Sequence, residues 1–221
     1  MDIKIKNRDG VKLLTGGKYC EEDINITLAD SLFDYTNEDG LVTRTLTSYY
    51  NDRVTSVGSR AFYQWTTLES IDFPNLEEVA DLAFYGCNKL INVNMPKVKY
   101  IKASAFNNCT ALIEVSMPNV EILGDQCFRY CSSVEIFYLP KVNSIVGAVF
   151  AQCTSIKALI IEQTDSVVVL NSSTCFNSSG IQAGTGYIYV PDSLIDSYKS
   201  ATNWSTYADQ IKPLSELPEE E

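Results

Sequence analysis

The sequence contains no histidine, and it is poor in basic residues. The first absence removes the commonest general base, the usual zinc ligand and the side chain that titrates near neutral pH. It also excludes Ser-His and Cys-His nucleophiles. The 17 Lys and Arg residues stand against 28 Asp and Glu residues, which gives a net charge of −11. Because this charge opposes contact with phosphate backbones and anionic lipids, we expect no nucleic-acid partner.

Long apolar runs are also missing. No stretch approaches the roughly 18 consecutive apolar residues of a membrane-spanning helix, and Met1–Asn7 alternates apolar with polar residues instead of forming the apolar core of a secretory signal. We therefore expect no membrane insertion, and no export signal is visible. A leader removed by processing would leave the same beginning.

The sequence is instead dominated by a repeat with a period of 22 residues. Five phenylalanines are spaced at this interval, and a sixth follows after 26 residues: Phe62, Phe84, Phe106, Phe128, Phe150 and Phe176. Three residues after the first five come Trp65, Cys87, Cys109, Cys131 and Cys153. A unit with about seven apolar positions cannot bury its own apolar face, so stacked copies must form the core. The sequence thus predicts a repeat solenoid.

Each repeat carries its own local signals. The segment Leu-x-x-Ile-x-Phe-Pro, beginning at Leu68, alternates like a strand and ends at a proline, which lacks the N–H that a ladder needs. The spacing of Ala-Phe-x-x-Cys predicts a short helical turn. We therefore predict a mainly β (α+β) coil made of a strand, a proline corner, a second extended segment and a helical turn, with regular repeats from about 54 to 161.

The repeat unit resembles the BspA-type (Treponema-type) leucine-rich repeat, as in Leu90-x-x-Val93-x-Met95-Pro96-x-Val98-x-x-Ile101-x-x-x-Ala105-Phe106-x-x-Cys109. The resemblance covers about Val54 to Ile161, with weaker units at both ends. It implies a non-catalytic bacterial, phage or protist surface protein that acts in adhesion and binds protein or glycan, at the cell surface or outside the cell. No enzyme activity and no cofactor are expected.

Both ends of the solenoid carry sequences that suit caps. Leu41–Thr47 is rich in β-branched residues and leads into Val54 and Val57, which keep the repeat phase. Tyr187–Pro191 resembles a last strand with its proline corner. After it, Asp192 and Ser193 offer a helix N-cap, and the apolar face of a closing helix follows at Leu194, Ile195, Tyr198, Trp204 and Tyr207. We therefore place the capped solenoid at 41–215, with its C-terminal cap at about 187–212.

The flanking segments differ from the repeat. Residues 1–29 predict a small β segment outside the repeat phase, residues 30–40 an acidic linker, and residues 216–221 a disordered tail. Gly10–Cys20 is similar to the short leading segments of prophage tail-associated proteins. This similarity implies the alternative function, a structural virion component.

The cysteines and carboxylates allow alternatives to a binding module. Cys127 and Cys131 are close enough in sequence to suggest a metal site or a disulfide, but one equivalent position holds most of the cysteines, which favours buried thiols. Paired carboxylates could act as acid and base or hold calcium: Glu69, Asp72, Glu114 and Glu135. Neither an aligned pair nor ligand spacing is evident, so we assign no catalytic residue and no metal.

The candidate binding surface is the outward row of the repeated strand. Alternation about the inward residues predicts a polar part at Ser70, Asp72, Asn92, Asn94, Glu114 and Ser116 and an apolar, aromatic part at Ile136, Tyr138, Ile160, Tyr187 and Tyr189. Exposed apolar and aromatic clusters mark contact sites. The alternative is that Val167–Leu170, inside the long last interval, folds over the apolar part and makes it core. The sequence leaves these two interpretations equal.

Overall fold

The computed structural model describes residues 3–7, 10–14, 26–28 and 47–218. Short strands joined by turns make up the described chain, and their bounds in chain order are β1 (Ile3–Asn7), β2 (Gly10–Leu14), β3 (Ile26–Leu28), β4 (Ser48–Tyr50), β5 (Val54–Val57), β6 (Ser70–Asp72), β7 (Glu78–Val79), β8 (Asn92–Asn94), β9 (Tyr100–Ile101), β10 (Glu114–Ser116), β11 (Ile122–Leu123), β12 (Ile136–Tyr138), β13 (Ser144–Ile145), β14 (Ala158–Ile160), β15 (Val169–Leu170), β16 (Tyr187–Val190) and β17 (Ile211–Pro213). Helix α1 (Ile195–Ser200) and 3₁₀ turns at Asp192–Leu194, Trp204–Gln210 and Leu214–Glu216 follow β16.

The strands form a parallel β-solenoid with two long sides. The front side carries two four-stranded sheets, β10-β8-β6-β4 and β12-β14-β16-β17, which together we call the front sheet. The back sheet is seven-stranded, in the order β15-β13-β11-β9-β7-β5-β3. Pairing follows the period, so Ser70 lies opposite Asn92 and Asp72 opposite Asn94. The predicted strand, proline corner and second extended segment are confirmed as a front strand, a turn and a back strand.

The third side of each coil is a turn and not the predicted helical turn. Between residues 54 and 161 no helix forms. The Cys109 N–H donates to the Phe106 carbonyl at 3.2 Å, which closes a single i to i+3 turn. Asn108 then adopts a left-handed backbone conformation (φ 65°), and its N–H donates to the Arg129 carbonyl of the next coil at 2.8 Å. The Phe106 N–H likewise donates to the Cys127 carbonyl at 2.8 Å, so hydrogen bonds join the coils on this side too.

The core is a column of phenylalanine rings. Ring centroids lie 4.8 Å apart between Phe62 and Phe84, 5.0 Å between Phe84 and Phe106 and 5.4 Å between Phe106 and Phe128, with nearly parallel planes. All four rings are fully buried. Burying such a ring contributes about 1.5–3 kcal/mol, and each ring pair adds about 0.5–1.5 kcal/mol. The column therefore holds neighbouring coils in register.

Beside the phenylalanines runs a column of buried thiols. Each Sγ donates to the carbonyl of the phenylalanine 25 residues earlier at 3.1–3.2 Å: Cys87 to Phe62, Cys109 to Phe84, Cys131 to Phe106 and Cys153 to Phe128. Cys127 and Cys175 are also buried and free. Burial raises the pKa of Cys109, Cys127, Cys131 and Cys153, and it raises that of Cys175 to about 12. The expected buried thiols are found at these positions, while Cys20 lies outside the described residues.

The C-terminal end is closed by a cap. Tyr198, Trp204 and Tyr207 are buried, as the sequence predicts. Trp204 Nε1 donates to the Val168 carbonyl at 2.7 Å, and the Val168 N–H donates to the Tyr198 hydroxyl at 3.1 Å. These bonds fasten the cap to the irregular last coil.

Two details of this cap differ from the prediction. Asp192 and Ser193 do not cap the helix through their side chains; Asp192 Oδ1 instead accepts from the Ser215 N–H at 3.1 Å. The expected tail is ordered further than residue 216, because Leu217 packs on the apolar cluster of Ala158, Ile160 and Tyr189. Residues 219–221 lie outside the described part.

The N-terminal segment is only partly separate from the solenoid. β1 and β2 pair as an antiparallel hairpin outside the repeat phase. β3, however, pairs in parallel with β5 as the first strand of the back sheet. The solenoid therefore begins before the predicted boundary at 41, inside the segment assigned to residues 1–29. The proposed linker at 30–40 lies outside the described residues.

Candidate binding surface

The outward side chains of β4, β6, β8 and β10 surround a shallow concavity. Its volume is about 410 Å³, and all six predicted polar residues line it: Ser70, Asp72, Asn92, Asn94, Glu114 and Ser116. Ser48 and Tyr50 extend the row by one coil. We call this site the polar concavity. Sequence reasoning missed Tyr50, although Ser48-Tyr49-Tyr50 stands one period before Ser70-Ile71-Asp72 and signals the same alternation.

Two carboxylate–amide pairs lie in the polar concavity. Asn94 Nδ2 donates to Asp72 Oδ1 at 2.8 Å. With its amide oriented to satisfy both neighbours, Asn92 donates to Glu114 Oε2 and to the Ile91 carbonyl, each at 3.2 Å. In each pair the two residues occupy equivalent positions of adjacent coils. Asp72, Asn94, Asn92 and Glu114 are therefore linked in pairs across neighbouring coils.

Further along the front sheet, Ile136 and Tyr138 form a small exposed apolar patch. Their side chains are 48% and 42% exposed. The Tyr138 hydroxyl donates to Glu162 Oε2 at 2.8 Å, and this hydrogen bond raises the pKa of Tyr138. Two of the five predicted apolar site residues are thus available to a partner on this surface.

The rest of the predicted apolar row is covered. Ile160 is 9% exposed and Tyr189 is 5% exposed. Leu214 and Leu217 pack over them, while Tyr187 is half-buried with Lys212 Nζ 4.3 Å from its ring centroid. The assignment of Ile160 and Tyr189 as exposed contact residues is therefore corrected to core.

The covering segment is not the one that the sequence suggested. Val169–Leu170 forms β15 and extends the back sheet beside β13. The cover comes from beyond β17, which pairs with β16 before the chain turns back at Leu214–Glu216.

A discontinuity separates the polar concavity from the apolar patch. Within residues 47–218, β10 has no ladder partner in β12, whereas β11 and β13 remain paired in the back sheet. The break coincides with a change at the inward position from Val115 to the larger Phe137, whose ring centroid lies 4.7 Å from that of Phe150. The front face is thereby divided into two regions of different chemistry.

The four carboxylates weighed as a pair or a calcium site are not gathered in one place. Asp72 and Glu114 line the polar concavity, Glu69 is exposed elsewhere, and Glu135 pairs with Lys157 at 2.7 Å. In the described ranges, no group of three or more Cys, Asp or Glu residues is placed to hold a metal ion. Of the helices that the structure describes, none is long and apolar enough to cross a bilayer.

Comparison with known proteins agrees with this architecture. The family model described as the BspA type leucine rich repeat region matches residues 45–184 in six copies. The pneumococcal vaccine antigen PcpA is similar in structure, with a TM-score of 0.55, 17% identity and coverage of 76% of this chain and 40% of that chain. At this identity the similarity concerns the fold alone.

Two further solved structures are similar at lower scores. A leucine rich cell surface protein from Faecalibacterium prausnitzii A2-165 gives a TM-score of 0.49, 18% identity and coverage of 87% of this chain and 62% of that chain. A leucine rich repeat protein of T. pallidum gives a TM-score of 0.47, 20% identity and coverage of 52% of this chain and 58% of that chain. The chain spans less than two thirds of the length of each of these three proteins. It matches no curated protein sequence.

Proposed function

Because the chain belongs to the BspA-type leucine-rich repeat family, we propose that it is a non-catalytic binding module of a bacterial surface protein. Its ligand is a protein or a glycan, and the front face of the solenoid makes the contact. One observation carries this proposal: the outward residues of the front sheet change from coil to coil while the inward residues stay apolar. Fold alone does not assign function, so the proposal rests on this surface.

The contrast between the two sets of positions is plain. The inward positions of successive coils are Ile71, Val93, Val115 and Phe137, and the outward positions before them are Ser70, Asn92, Glu114 and Ile136. A solenoid that served only as a spacer would need solubility at the outward positions and nothing more. Side chains fixed on strands are also pre-organised, which lowers the entropy lost on binding.

A screen followed by paired substitutions tests the proposal. The purified chain is first tested against panels of surface proteins and oligosaccharides. The front-face double variant Ile136→Ser with Tyr138→Ser is then compared with the back-sheet double variant Ile122→Ser with Tyr100→Ser, whose side chains are similarly exposed at 40% and 39%. We expect a protein ligand to lose at least about tenfold in affinity for the front variant only. No ligand in either panel, or equal loss in both variants, would contradict the proposal.

The alternative of a phage or prophage tail component rests on the similarity of Gly10–Cys20. Gly10–Leu14 forms β2, which pairs with β1. This pairing does not indicate a particular function. Positions 15–20 lie outside the described residues. Recovery of the protein in purified virions would favour this alternative over a cell-surface location.

A further inference from the structure

The polar concavity has the dimensions of a small-ligand site. Its volume of about 410 Å³ falls within the roughly 300–1,000 Å³ that is usual for such sites. Its walls stand on four consecutive front strands that pair residue by residue. The cavity is thus built on one continuous four-stranded parallel sheet.

Its charge excludes anionic ligands. Asp72 and Glu114 supply two carboxylates, and no Lys or Arg is among the residues that line the cavity. The chain as a whole carries a net charge of −11. A sulfated or sialylated sugar, or a nucleic acid, would be repelled.

Its hydrogen-bonding groups favour hydroxyls over cationic side chains. Asn92 and Asn94 carry both amide donors and carbonyl acceptors, and the carboxylates they contact supply further acceptors. Asn94 uses one of its two amide N–H groups on Asp72. A Lys or Arg side chain only donates, so it would leave the second N–H of Asn94 without an acceptor from the ligand. A sugar hydroxyl both donates and accepts, and it can satisfy both kinds of group.

The composition of the cavity is also unlike the centre of a protein interface. Such centres are enriched in aromatic residues, Met and Arg and are depleted in Asp, Glu and Ser. Here the centre holds Ser70, Asp72 and Asn94, and the exposed aromatic side chain, Tyr50, stands at one end. Tyr50 is 59% exposed and presents a flat apolar ring beside a polar hydroxyl. That combination suits the C–H face of a sugar ring.

We infer that the polar concavity is a subsite for a neutral glycan, in which Tyr50 packs against a sugar ring while Asp72, Asn94, Asn92 and Glu114 hydrogen-bond its hydroxyls. The inference rests on the proposed function, because it names the ligand class for one half of the same face. The apolar patch of Ile136 and Tyr138, beyond the break in the front sheet, takes no part in it.

A glycan array of neutral, sialylated and sulfated oligosaccharides, probed with the full chain, tests the inference. We expect binding of neutral oligosaccharides only. The variants Tyr50→Ala and Asn94→Ala should each weaken it about tenfold, and the controls Tyr100→Ala and Asn88→Ala, at exposed positions outside the cavity, should leave it unchanged. Raising NaCl from about 0.05 M to about 0.5 M should change the affinity less than twofold, because no ion pair is made.

Other outcomes overturn the inference. The inference is wrong if neutral glycans do not bind, if sialylated or sulfated sugars are preferred, or if the cavity and control variants have equal effects. Salt-sensitive binding of a Lys/Arg-rich peptide that is lost in Asp72→Asn, without glycan binding, would assign the cavity to a basic peptide. If a protein ligand still depends on Ile136 and Tyr138 in these cases, the glycan subsite fails while the proposed function stands. If no ligand depends on any front-face residue, both fail.

Discussion

Asn94 donates a hydrogen bond of 2.8 Å to Asp72, and the two residues are separated by one full repeat of 22 positions. The same relationship joins Lys157 to Glu135 and Lys97 to Asn75. One period of sequence is therefore one step along the solenoid axis. For this reason the repeat specifies both the buried core and the lateral contacts of the surface.

The phenylalanine column should dominate stability. Phe106 is fully buried between Phe84 and Phe128, so Phe106→Ala leaves a cavity that the stacked coils cannot easily close. We expect a loss of about 3–5 kcal/mol in the free energy of unfolding, measured by urea denaturation. Tyr100→Ala, at an exposed position, should cost less than about 1 kcal/mol. Similar losses in the two variants would contradict the stacked core.

The buried thiols should make stability fall at alkaline pH. The pKa of Cys109 and of Cys131 is raised by burial in the folded protein, so the folded state keeps these protons where the unfolded chain loses them. The stability of the folded state is therefore unaffected by the ionisation of these thiols below the unfolded pKa of about 8.5. Above it, the free energy of unfolding falls by up to about 1.4 kcal/mol per pH unit for each thiol. Unfolding at about pH 7.5 and pH 9.5 measures this loss.

The double variant Cys109→Ala with Cys131→Ala provides the control for this pH dependence. Its stability should decline less steeply between the two pH values, since two of the ionising groups are gone. The same slope in the variant and the parent would show that other groups cause the decline.

Leu214 and Leu217 should act as a cover for the end of the front sheet. They pack over Ala158, Ile160 and Tyr189, so the double variant Leu214→Ser with Leu217→Ser should expose this cluster. We expect stronger fluorescence of a hydrophobic dye and a loss of about 2–4 kcal/mol in stability. Ser215→Ala with Glu216→Gln, on the exposed side of the same segment, should leave the dye fluorescence unchanged and cost less than about 1 kcal/mol, since it removes only the exposed ion pair of Glu216 with Lys212. Unchanged dye fluorescence in the leucine variant would refute the covering role.

The period alone predicts a large part of this structure. The phenylalanine column, the buried cysteines, the front and back strands and the six polar residues of the concavity all follow from apolar positions that repeat in phase. Tyr50 was equally accessible to this reasoning, because Tyr49 holds the inward position one period before Ile71. The first coil departs from the consensus, and this makes its outward row harder to recognise.

Other features lie beyond what the period can specify. The burial of Ile160 and Tyr189 depends on Leu214 and Leu217, which stand outside the repeat and have no phase. The spacing Ala-Phe-x-x-Cys fits a helical turn and an isolated turn equally well, and the left-handed backbone at Asn108 and Tyr130 decides between them. The break between β10 and β12 accompanies an inward change from Val115 to the larger Phe137, which leaves the period intact.

Photo-crosslinking from two matched positions tests the central claim most directly. Tyr138 on the front face and Tyr100 on the back sheet are 42% and 39% exposed, and each is replaced in turn by p-benzoylphenylalanine in the full chain. With a protein ligand found in the screen, irradiation should give a covalent adduct from position 138 and none from position 100. Adducts from both positions, or from position 100 alone, would contradict a binding function of the front face.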